Sequence, residues 1–218
     1  MNIKKLAYAV LATSALAVCA GPAHATLMLT LKDGDGRQVQ ITDGGTGDMN
    51  GATPGILWMG SLGTWIGDFS VLGLTAGQSN SPGNSQAILD LATMNMTSRG
   101  AGKLTITLTD VFTSPIGTWF GATTEVGGVT SGNISFNSLL NGSSVSTFGF
   151  NGGAFSGTNT TGVDTTGGFT LTQIATITNQ GAGKSSFEII TTVPEPATLG
   201  LLGLGLIGLG FVRRRRRI

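Results

Sequence analysis

Apolar and polar residues alternate along much of the chain between residues 26 and 192. The clearest example is 103–110, where Leu104, Ile106 and Leu108 occupy every second position and hydroxyl side chains lie between them. A period of two residues predicts a strand with one buried and one solvated face. Similar signals predict ten further strands, at 27–31, 37–42, 56–59, 65–75, 86–96, 116–122, 132–137, 143–150, 169–178 and 186–192.

Turn signals separate the predicted strands. Asn50-Gly51, Asn141-Gly142 and Asn151-Gly152 are pairs typical of tight hairpins. Helix formers are scarce, because Gly, Ser, Thr and Asn make up half of the residues between 26 and 192. We therefore predict one all-β domain over 26–192, an antiparallel β-sandwich of the jelly-roll kind. Segment 86–96 would also fit a short helix, and the glycine-rich segment 149–168 is predicted to be a long mobile loop.

The N-terminus has the order of a secretory signal peptide. Two lysines precede an apolar run over 6–20, and Ala23-His24-Ala25 supplies the small residues of a cleavage site. We predict that residues 1–25 form a signal helix that is recognised by the Sec translocon and removed by signal peptidase after Ala25. A lipoprotein signal is the alternative because Cys19 follows an apolar run, but Val18 before it is larger than the small residue that such a site needs.

A second apolar segment lies near the C-terminus. Residues 197–212 contain no charge, and as a helix they would span about 24 Å, less than the ~30 Å hydrocarbon core of a bilayer. A dense positive cluster follows and is expected to stay on the cytoplasmic side of a membrane. The cluster consists of Arg213, Arg214, Arg215, Arg216 and Arg217. We predict a short transmembrane helix with residues 26–192 outside the cytoplasm; a plain single-span anchor and an arginine-rich nucleic-acid contact are the alternatives.

The sequence Val193-Pro194-Glu195-Pro196 stands between the predicted domain and this apolar segment. Two prolines around a glutamate are predicted to stay out of helix and sheet and to hold an extended segment accessible to a processing enzyme. With the Gly- and Leu-rich segment and the arginine cluster, this VPEP motif makes residues 193–218 resemble the PEP-CTERM sorting signal of Gram-negative bacteria. The resemblance implies transient anchoring in the inner membrane, processing by an exosortase, and delivery to the cell surface or an extracellular polysaccharide matrix.

The charged, cysteine and histidine residues of the predicted exported part limit the functions that it can have. Residues 26–192 carry five basic and ten acidic side chains, a formal net charge of −5, which argues against a nucleic-acid partner. Cleavage after Ala25 would also remove the single cysteine and the single histidine of the chain. A Ser-His-Asp triad, a cysteine nucleophile and a metal held by imidazole or thiolate are therefore excluded for the exported part.

Hydrolysis by a pair of carboxylates needs neither histidine nor cysteine, so it is still possible for the exported part. The acidic residues in or beside predicted strands, together with both glutamates of the predicted domain, are Asp68, Asp90, Asp110, Glu125 and Glu188. None of them belongs to a recognisable motif. Solvated charges that keep an outer face or a strand end soluble are the simpler interpretation.

Two Asp- and Gly-rich segments offer oxygen ligands of the kind that calcium prefers. Asp33 and Asp35 lie in the first segment, and Asp43 and Asp48 lie in the second. Neither segment has the spacing of an EF-hand, and an Asp-Gly pair is also a common hairpin turn. We therefore expect these aspartates to form turns, and we expect no metal and no cofactor.

Three tryptophans, Trp58, Trp65 and Trp119, are candidates for stacking against sugars. In a β-sandwich we expect such large rings to fill the core, and alternation places Trp65 in phase with Phe69. An exposed tryptophan beside a glycine-lined groove would instead favour sugar binding.

Together these patterns predict an exported, non-enzymatic protein of the cell surface or of an exopolysaccharide and biofilm matrix. A carbohydrate-binding module that recognises exopolysaccharide through exposed tryptophan is the alternative function. An enzyme that acts on polysaccharide through a carboxylate pair is the third.

Overall fold

A computed structural model of the protein describes residues 27–51, 53, 55–59, 66–78, 86–112, 120–164 and 168–194. These residues form ten strands: β1 (Met28–Asp33), β2 (Gln38–Thr42), β3 (Ile56–Met59), β4 (Phe69–Gln78), β5 (Gln86–Ser98), β6 (Gly102–Phe112), β7 (Phe120–Leu140), β8 (Ser143–Val163), β9 (Phe169–Asn179) and β10 (Gly183–Pro194). Neighbouring strands pair antiparallel, which confirms the all-β, antiparallel prediction. The predicted signal helix and transmembrane helix lie outside the described residues. Within those residues, no helix has the length and apolar character needed to cross a membrane.

The strands form one continuous sheet in the order β2-β1-β6-β9-β7-β10-β5-β4-β3, with β8 paired to β7. The sheet curls at β7, so its two halves face each other around a shared core, as the layers of a sandwich do. We call β2, β1, β6 and β9, together with residues 133–140 of β7, the first layer. We call β10, β5, β4 and β3, together with residues 123–130 of β7, the second layer.

The alternation predicted from the sequence is seen directly in the central strands. Leu104, Ile106 and Leu108 of β6 are fully buried, and every second residue between them is half-buried on the outer face. β9 alternates in the same way along its whole length. Full burial of one such aliphatic side chain contributes about 1.5–3 kcal/mol. The inward rows of the two layers therefore supply the main stabilising contribution of the core.

The two longest strands, β7 and β8, form a hairpin that belongs to both layers. Each has 21 residues. β7 pairs with β10 over 123–130 and with β9 over 133–140, and a bulge between these stretches lets it pass from one layer to the other. β8 follows this bend at Gly152 and Gly153, whose φ angles of 68° and 77° are readily adopted by glycine.

Two predictions for this region are wrong. Segments 116–122 and 132–137 were expected to be separate strands, but residues 120–140 form the single strand β7. Segment 149–168 was expected to be a mobile loop, but most of it belongs to β8. The physical reason is that β7 offers an edge that is paired along almost its whole length, so even glycine- and serine-rich backbone finds hydrogen-bond partners along it.

The local turn chemistry is largely as predicted. Asn141 and Gly142, with φ angles of 50° and 80°, form the tight turn between β7 and β8. Segment 86–96 lies in strand β5 and does not form the alternative helix. Asn151-Gly152, in contrast, does not connect two strands, because it lies at the bend within β8.

Candidate functional site

The last strand contains the beginning of the predicted sorting motif. β10 ends at Pro194, which lies opposite Gln86, and the preceding residue Val193 is fully buried opposite Ala87. The prediction that both prolines stay out of the sheet is therefore wrong for Pro194. Proline is tolerated here because the end of a strand needs no further ladder hydrogen bond from its missing N–H.

The other predicted sorting and cleavage residues all lie outside the described residues. They are Ala23, Ala25, Glu195, Pro196, Arg213, Arg214, Arg215, Arg216 and Arg217. What the structure adds is the position of the boundary, because β10 ends directly before Glu195. The motif therefore begins inside the sheet.

Trp58 lies on β3 at one edge of the second layer. Its neighbours Leu57 and Met59 point into the core, so the side chain of Trp58 points to the outer face and is 44% exposed. The expectation that the tryptophans fill the core is thus wrong for Trp58, while Trp65 and Trp119 lie outside the described residues. An exposed indole on a sheet edge has the flat apolar surface that stacks on sugar rings.

A loop beside Trp58 is organised by Asp48, one of the calcium candidates. Asp48 accepts hydrogen bonds at 2.9–3.1 Å from the main-chain N–H groups of Gly44, Asn50 and Trp58. Burial alone would raise the pKa of Asp48, but these N–H donors together hold that pKa below its ordinary value. The Trp58 carbonyl also accepts a hydrogen bond of 2.8 Å from the N–H of Met49. The loop therefore covers the outer edge of β3.

The other calcium candidates lie in turns or, for Asp33, at the end of strand β1 beside a turn. Asp33 Oδ1 accepts a 2.7 Å hydrogen bond from the N–H of Arg37 across the turn between β1 and β2. The Arg37 guanidinium lies 3.9 Å from one carboxylate oxygen of each of Asp33 and Asp35. Asp43 accepts a 2.7 Å hydrogen bond from the N–H of Gly55. Within the part of the chain that the structure describes, no three His, Cys, Asp or Glu residues are grouped to hold a metal ion.

Three of the acidic residues meet on the outer face of the second layer. Ile190 of β10 lies between Glu125 of β7 and Asp90 of β5, and Glu188 is two residues away on the same face. Burial, and next the negative charge of Glu188, raise the pKa of Asp90 to about 6. Asp90 therefore holds its proton up to a higher pH than an ordinary aspartate, which is the property that a general acid needs.

The remaining two acidic residues lie elsewhere. Asp68 forms an ion pair of 3.1 Å with Arg99, and both side chains are largely exposed. Asp110 is fully buried on the inner face of β6, and its Oδ1 accepts a 2.7 Å hydrogen bond from the N–H of Val111. Neither joins the group formed by Asp90, Glu125 and Glu188.

A polar network inside the core was missed by the sequence reasoning. Gln173 of β9 is fully buried, and its Nε2 donates to the Leu89 carbonyl at 2.8 Å and to Thr191 Oγ1 at 3.0 Å. The Thr191 hydroxyl in turn lies 3.2 Å from that of Thr124 and 3.0 Å from that of Ser138. These bonds join the two layers. The available signal was a glutamine at an inward position of the strict alternation in β9.

Comparison with known proteins finds a specific match at the C-terminus alone. Residues 192–217 match the family model of the PEP-CTERM protein-sorting motif. No curated protein matches the chain significantly in sequence.

Solved structures resemble the sheet only remotely. The PA14 domain of the antifreeze protein MpAFP is 20% identical with a TM-score of 0.28, over 39% of this chain and 40% of that one. The insecticidal delta-endotoxin Cry8Ea1 from Bacillus thuringiensis is 9% identical with a TM-score of 0.35, over 79% of this chain and 42% of that one. A carbohydrate-binding module, CBM36 in complex with calcium and xylotriose, is 16% identical with a TM-score of 0.24, over 44% and 76%.

Similarities this low carry no argument about function, and this chain spans less than half the length of the first two proteins. The motif match is independent of them, because it rests on the C-terminal sequence alone. It agrees with the resemblance noted from the VPEP motif. The protein therefore carries a PEP-CTERM sorting signal at residues 192–217, and this signal implies export and processing by an exosortase.

Proposed function

We propose that this protein is a non-enzymatic component of the cell surface or of an extracellular polysaccharide and biofilm matrix of a Gram-negative bacterium. In this proposal an exosortase releases a jelly-roll-like β-sandwich domain from the inner membrane. The observation that carries the proposal is the junction at the end of β10. The strand ends at Pro194, inside the matched motif, so processing beyond Pro194 would detach the tail and leave the sheet complete.

The test is the location of the full-length chain in a host that has an exosortase. We expect the unmodified chain in the surface or matrix fraction, with an intact mass that lacks the C-terminal tail. The double variant Glu195→Ala and Pro196→Ala changes the motif without altering β10, so we expect it to stay in the inner membrane with its tail. Glu188→Ala is the matched control, because this exposed glutamate lies near the motif but inside the sheet.

The two variants separate sorting from folding. Release and trimming of the motif variant at the wild-type level would contradict the proposal. Retention of both variants in the inner membrane would also contradict it, since sorting would then depend on the sheet and not on the motif.

Carbohydrate binding through Trp58 is the second candidate function, and the 44% exposure of this side chain favours it. We expect Trp58→Ala to raise the Kd for host exopolysaccharide about tenfold, or about 1.4 kcal/mol, if the indole stacks on a sugar. Trp58→Phe keeps an aromatic face and should retain most of the binding. Equal binding by all three forms would remove this candidate.

Catalysis by carboxylates is the third possibility, because the sheet brings Asp90 and Glu188 onto one face. The proposed non-enzymatic role predicts no hydrolysis of the host polysaccharide by the purified chain. Hydrolysis that is abolished in both Asp90→Asn and Glu188→Gln would contradict that role.

A further inference from the structure

The outer face of the first layer, which we call the threonine face, carries mostly neutral hydrogen-bonding side chains, with the apolar residues Val111, Leu139 and Ile174 among them. Its central members project outward from β1, β6, β7 and β9 and are half-buried or exposed. They are Thr30, Thr105, Thr107, Thr109, Asn133, Ser135, Asn137, Thr172, Thr176 and Thr178. Hydroxyl and amide groups repeat here at the strand spacing of about 4.8 Å.

Two exposed lysines lie at one end of this face. Lys103 of β6 is paired with Thr178, and Lys32 of β1 is paired with Thr105. Among the described residues neither lysine forms an ion pair, because the nearby carboxylates of Asp33 and Asp35 lie against Arg37 instead.

The charge of the face is opposite to that of the predicted exported part as a whole. Residues 26–192 have a formal net charge of −5, yet no carboxylate projects from the described strands of the threonine face. The acidic side chains lie in turns, in the core, or on the outer face of the second layer. Lys32 and Lys103 are therefore the charged side chains that project from the strands of this face, while Asp33, Asp35 and Asp68 lie at its end and share a cavity with Lys103.

A groove of about 160 Å³ interrupts the threonine face near the bulge in β7. Its lining includes Ile134 and Phe150, whose side chains pack in or against the core, and the polar residues Asn133, Ser135, Thr176 and Thr178. Small-molecule sites usually measure about 300–1,000 Å³, so this groove suits one unit of a longer chain better than a whole ligand.

Gly149 of β8 keeps the groove open. A Cβ atom built on Gly149 would meet no atom within 4 Å, and this glycine has no positive φ angle. A large side chain at this position would therefore enter the groove without straining the strand.

We propose that the threonine face binds an anionic polysaccharide, with one sugar ring in the groove and acidic groups of neighbouring sugars at Lys103 and Lys32. This inference rests on the proposed location in a polysaccharide matrix and adds the binding site and the ligand class. Lys103 is one strand from the groove wall at Thr178, and Lys32 is two strands from the wall at Thr176. One strand spacing is about 5 Å and two are about 10 Å, so Lys103 and Lys32 lie at distances from the groove that suit adjacent sugars of a polysaccharide that crosses the strands.

Two features favour a polysaccharide over other anionic polymers. Rows of hydroxyl and amide groups match the many hydroxyls of sugars, whereas a protein interface of standard size would need a larger apolar centre. The net charge of −5 opposes long-range attraction of every polyanion, and it does so most strongly for nucleic acid, whose backbone carries one charge per nucleotide. A short cationic site inside a neutral hydrogen-bonding field requires close contact, which a flat sugar chain allows.

The test measures Kd for polygalacturonate, with the full-length chain purified in mild detergent. Neutral dextran and single-stranded DNA serve as comparison ligands. We expect saturable binding of polygalacturonate that weakens when NaCl is raised to about 0.5 M, because screening shortens the reach of the lysine charges. We expect at least tenfold weaker binding of dextran and of DNA.

Two sets of variants test the site itself. Lys103→Glu and Lys32→Glu should each raise Kd at least fivefold, while Lys184→Glu, an exposed lysine on the other layer, should bind as the wild type does. Gly149→Tyr should raise Kd at least tenfold by filling the groove. Its control is Gly181→Tyr, since a Cβ at Gly181 also meets nothing within 4 Å and no positive φ is involved. Thermal unfolding by circular dichroism checks that all five lysine and glycine variants are folded.

The outcomes separate this site from the broader proposal. If the wild type binds no polygalacturonate, or binds DNA or dextran equally well, the ligand class is wrong, while sorting to the matrix is still judged by the fractionation experiment. If binding persists in Gly149→Tyr and Lys103→Glu but is lost in Trp58→Ala, the site is wrong and the ligand binds at β3. Equal weakening by Lys184→Glu would show a general charge effect and would also overturn the site.

Discussion

The two outer faces of the curled sheet differ sharply in chemistry, although both arise from the same alternation of residues. The threonine face presents hydroxyl and amide groups with Lys32 and Lys103, whereas the opposite face presents Asp90, Glu125 and Glu188. A single value of net charge hides this difference. The lesson is that alternation determines which residues point outward, and the layer to which a strand belongs determines which charges meet.

The β7–β8 hairpin belongs to both layers. We therefore expect the largest loss of stability from a substitution at the point where β7 passes from one layer to the other. A Cβ on Gly132 would lie 2.5 Å from the Thr178 carbonyl oxygen and closer still to the Asn179 side chain. We expect Gly132→Val to lower the free energy of unfolding by about 3 kcal/mol or more, because the main chain must shift. Urea unfolding measures this change.

The control for this change is Gly181→Ala, since the added Cβ meets no atom within 4 Å. Its unfolding midpoint should match that of the wild type. A midpoint for Gly132→Val that also matches would mean that β7 does not cross between layers at this position, and the comparison of two faces would fail.

The second largest loss of stability is expected when the hydrogen bonds between the two layers are removed. Gln173→Met keeps a long side chain but removes the donor to the Leu89 carbonyl and to Thr191. We expect a loss of about 2 kcal/mol, because buried acceptors then lack this partner. Hydrogen exchange should show faster opening of β9 and β5 together. Faster exchange in β9 alone would contradict a connection between layers.

A smaller effect of opposite sign, a gain in stability, is expected on the outer face of the second layer, where Asp90 lies. The pKa of Asp90 is raised from 3.8 to about 6, so the ionised form is disfavoured in the folded state. Asp90→Asn should therefore stabilise the protein at pH 7.5. A two-unit shift corresponds to about 2.7 kcal/mol, and partial solvent exposure of the carboxyl reduces the expected gain to about 1 kcal/mol.

The stability gain of Asp90→Asn is expected to shrink as the pH falls. As the pH falls from about 6 towards about 4, the folded wild type takes up a proton before the unfolded chain does, and its stability rises towards that of Asp90→Asn. Thermal melts at both ends of this range measure the difference. A stability advantage of Asp90→Asn that is unchanged at pH 4 would show that the charge of Asp90 is not the cause.

The smallest effect is expected on the threonine face. Thr109 Oγ1 lies 3.2 Å from Thr172 Oγ1 in a half-buried position. Thr109→Val preserves the β-branched shape and removes one hydroxyl, so the free energy of unfolding should change by no more than about 0.5 kcal/mol. Urea unfolding tests this value. A loss above about 1 kcal/mol would mean that the hydroxyls of this face hold the sheet together and are not free for a ligand.

Much of the fold could be predicted because its signals are local. Alternation identified β6 and β9, and Asn141-Gly142 identified the turn between β7 and β8. The C-terminal motif was found because three unrelated features stand in a fixed order. Each of these signals occupies a short stretch of chain and needs no knowledge of pairing.

The errors concern features that depend on distant partners. Residues 151–163 look like a loop by composition, and they form a strand because β7 pairs with them. Val193 looks like part of an exposed tail, and it is buried because β5 lies beside it. Trp58 was expected in the core, although the short apolar run around it did not show which of its residues point inward.

The candidate sites were less predictable than the strands for the same reason. Asp90, Glu125 and Glu188 are far apart in sequence and meet only through the order of β5, β10 and β7. The groove at Gly149 likewise depends on the register between β7 and β8. Strand order and register are set by pairings that a single sequence does not display.

The position of β10 has a mechanical consequence. This strand is hydrogen-bonded along both edges, to β5 on one side and to β7 on the other, and it leads straight into the sorting signal. A pulling force applied at the C-terminus therefore acts along the strand and loads both rows of bonds in shear. Such rows must rupture together, whereas a strand at a free edge could peel away one bond at a time. The chain is thus held by two rows of hydrogen bonds at the point where the sorting signal begins.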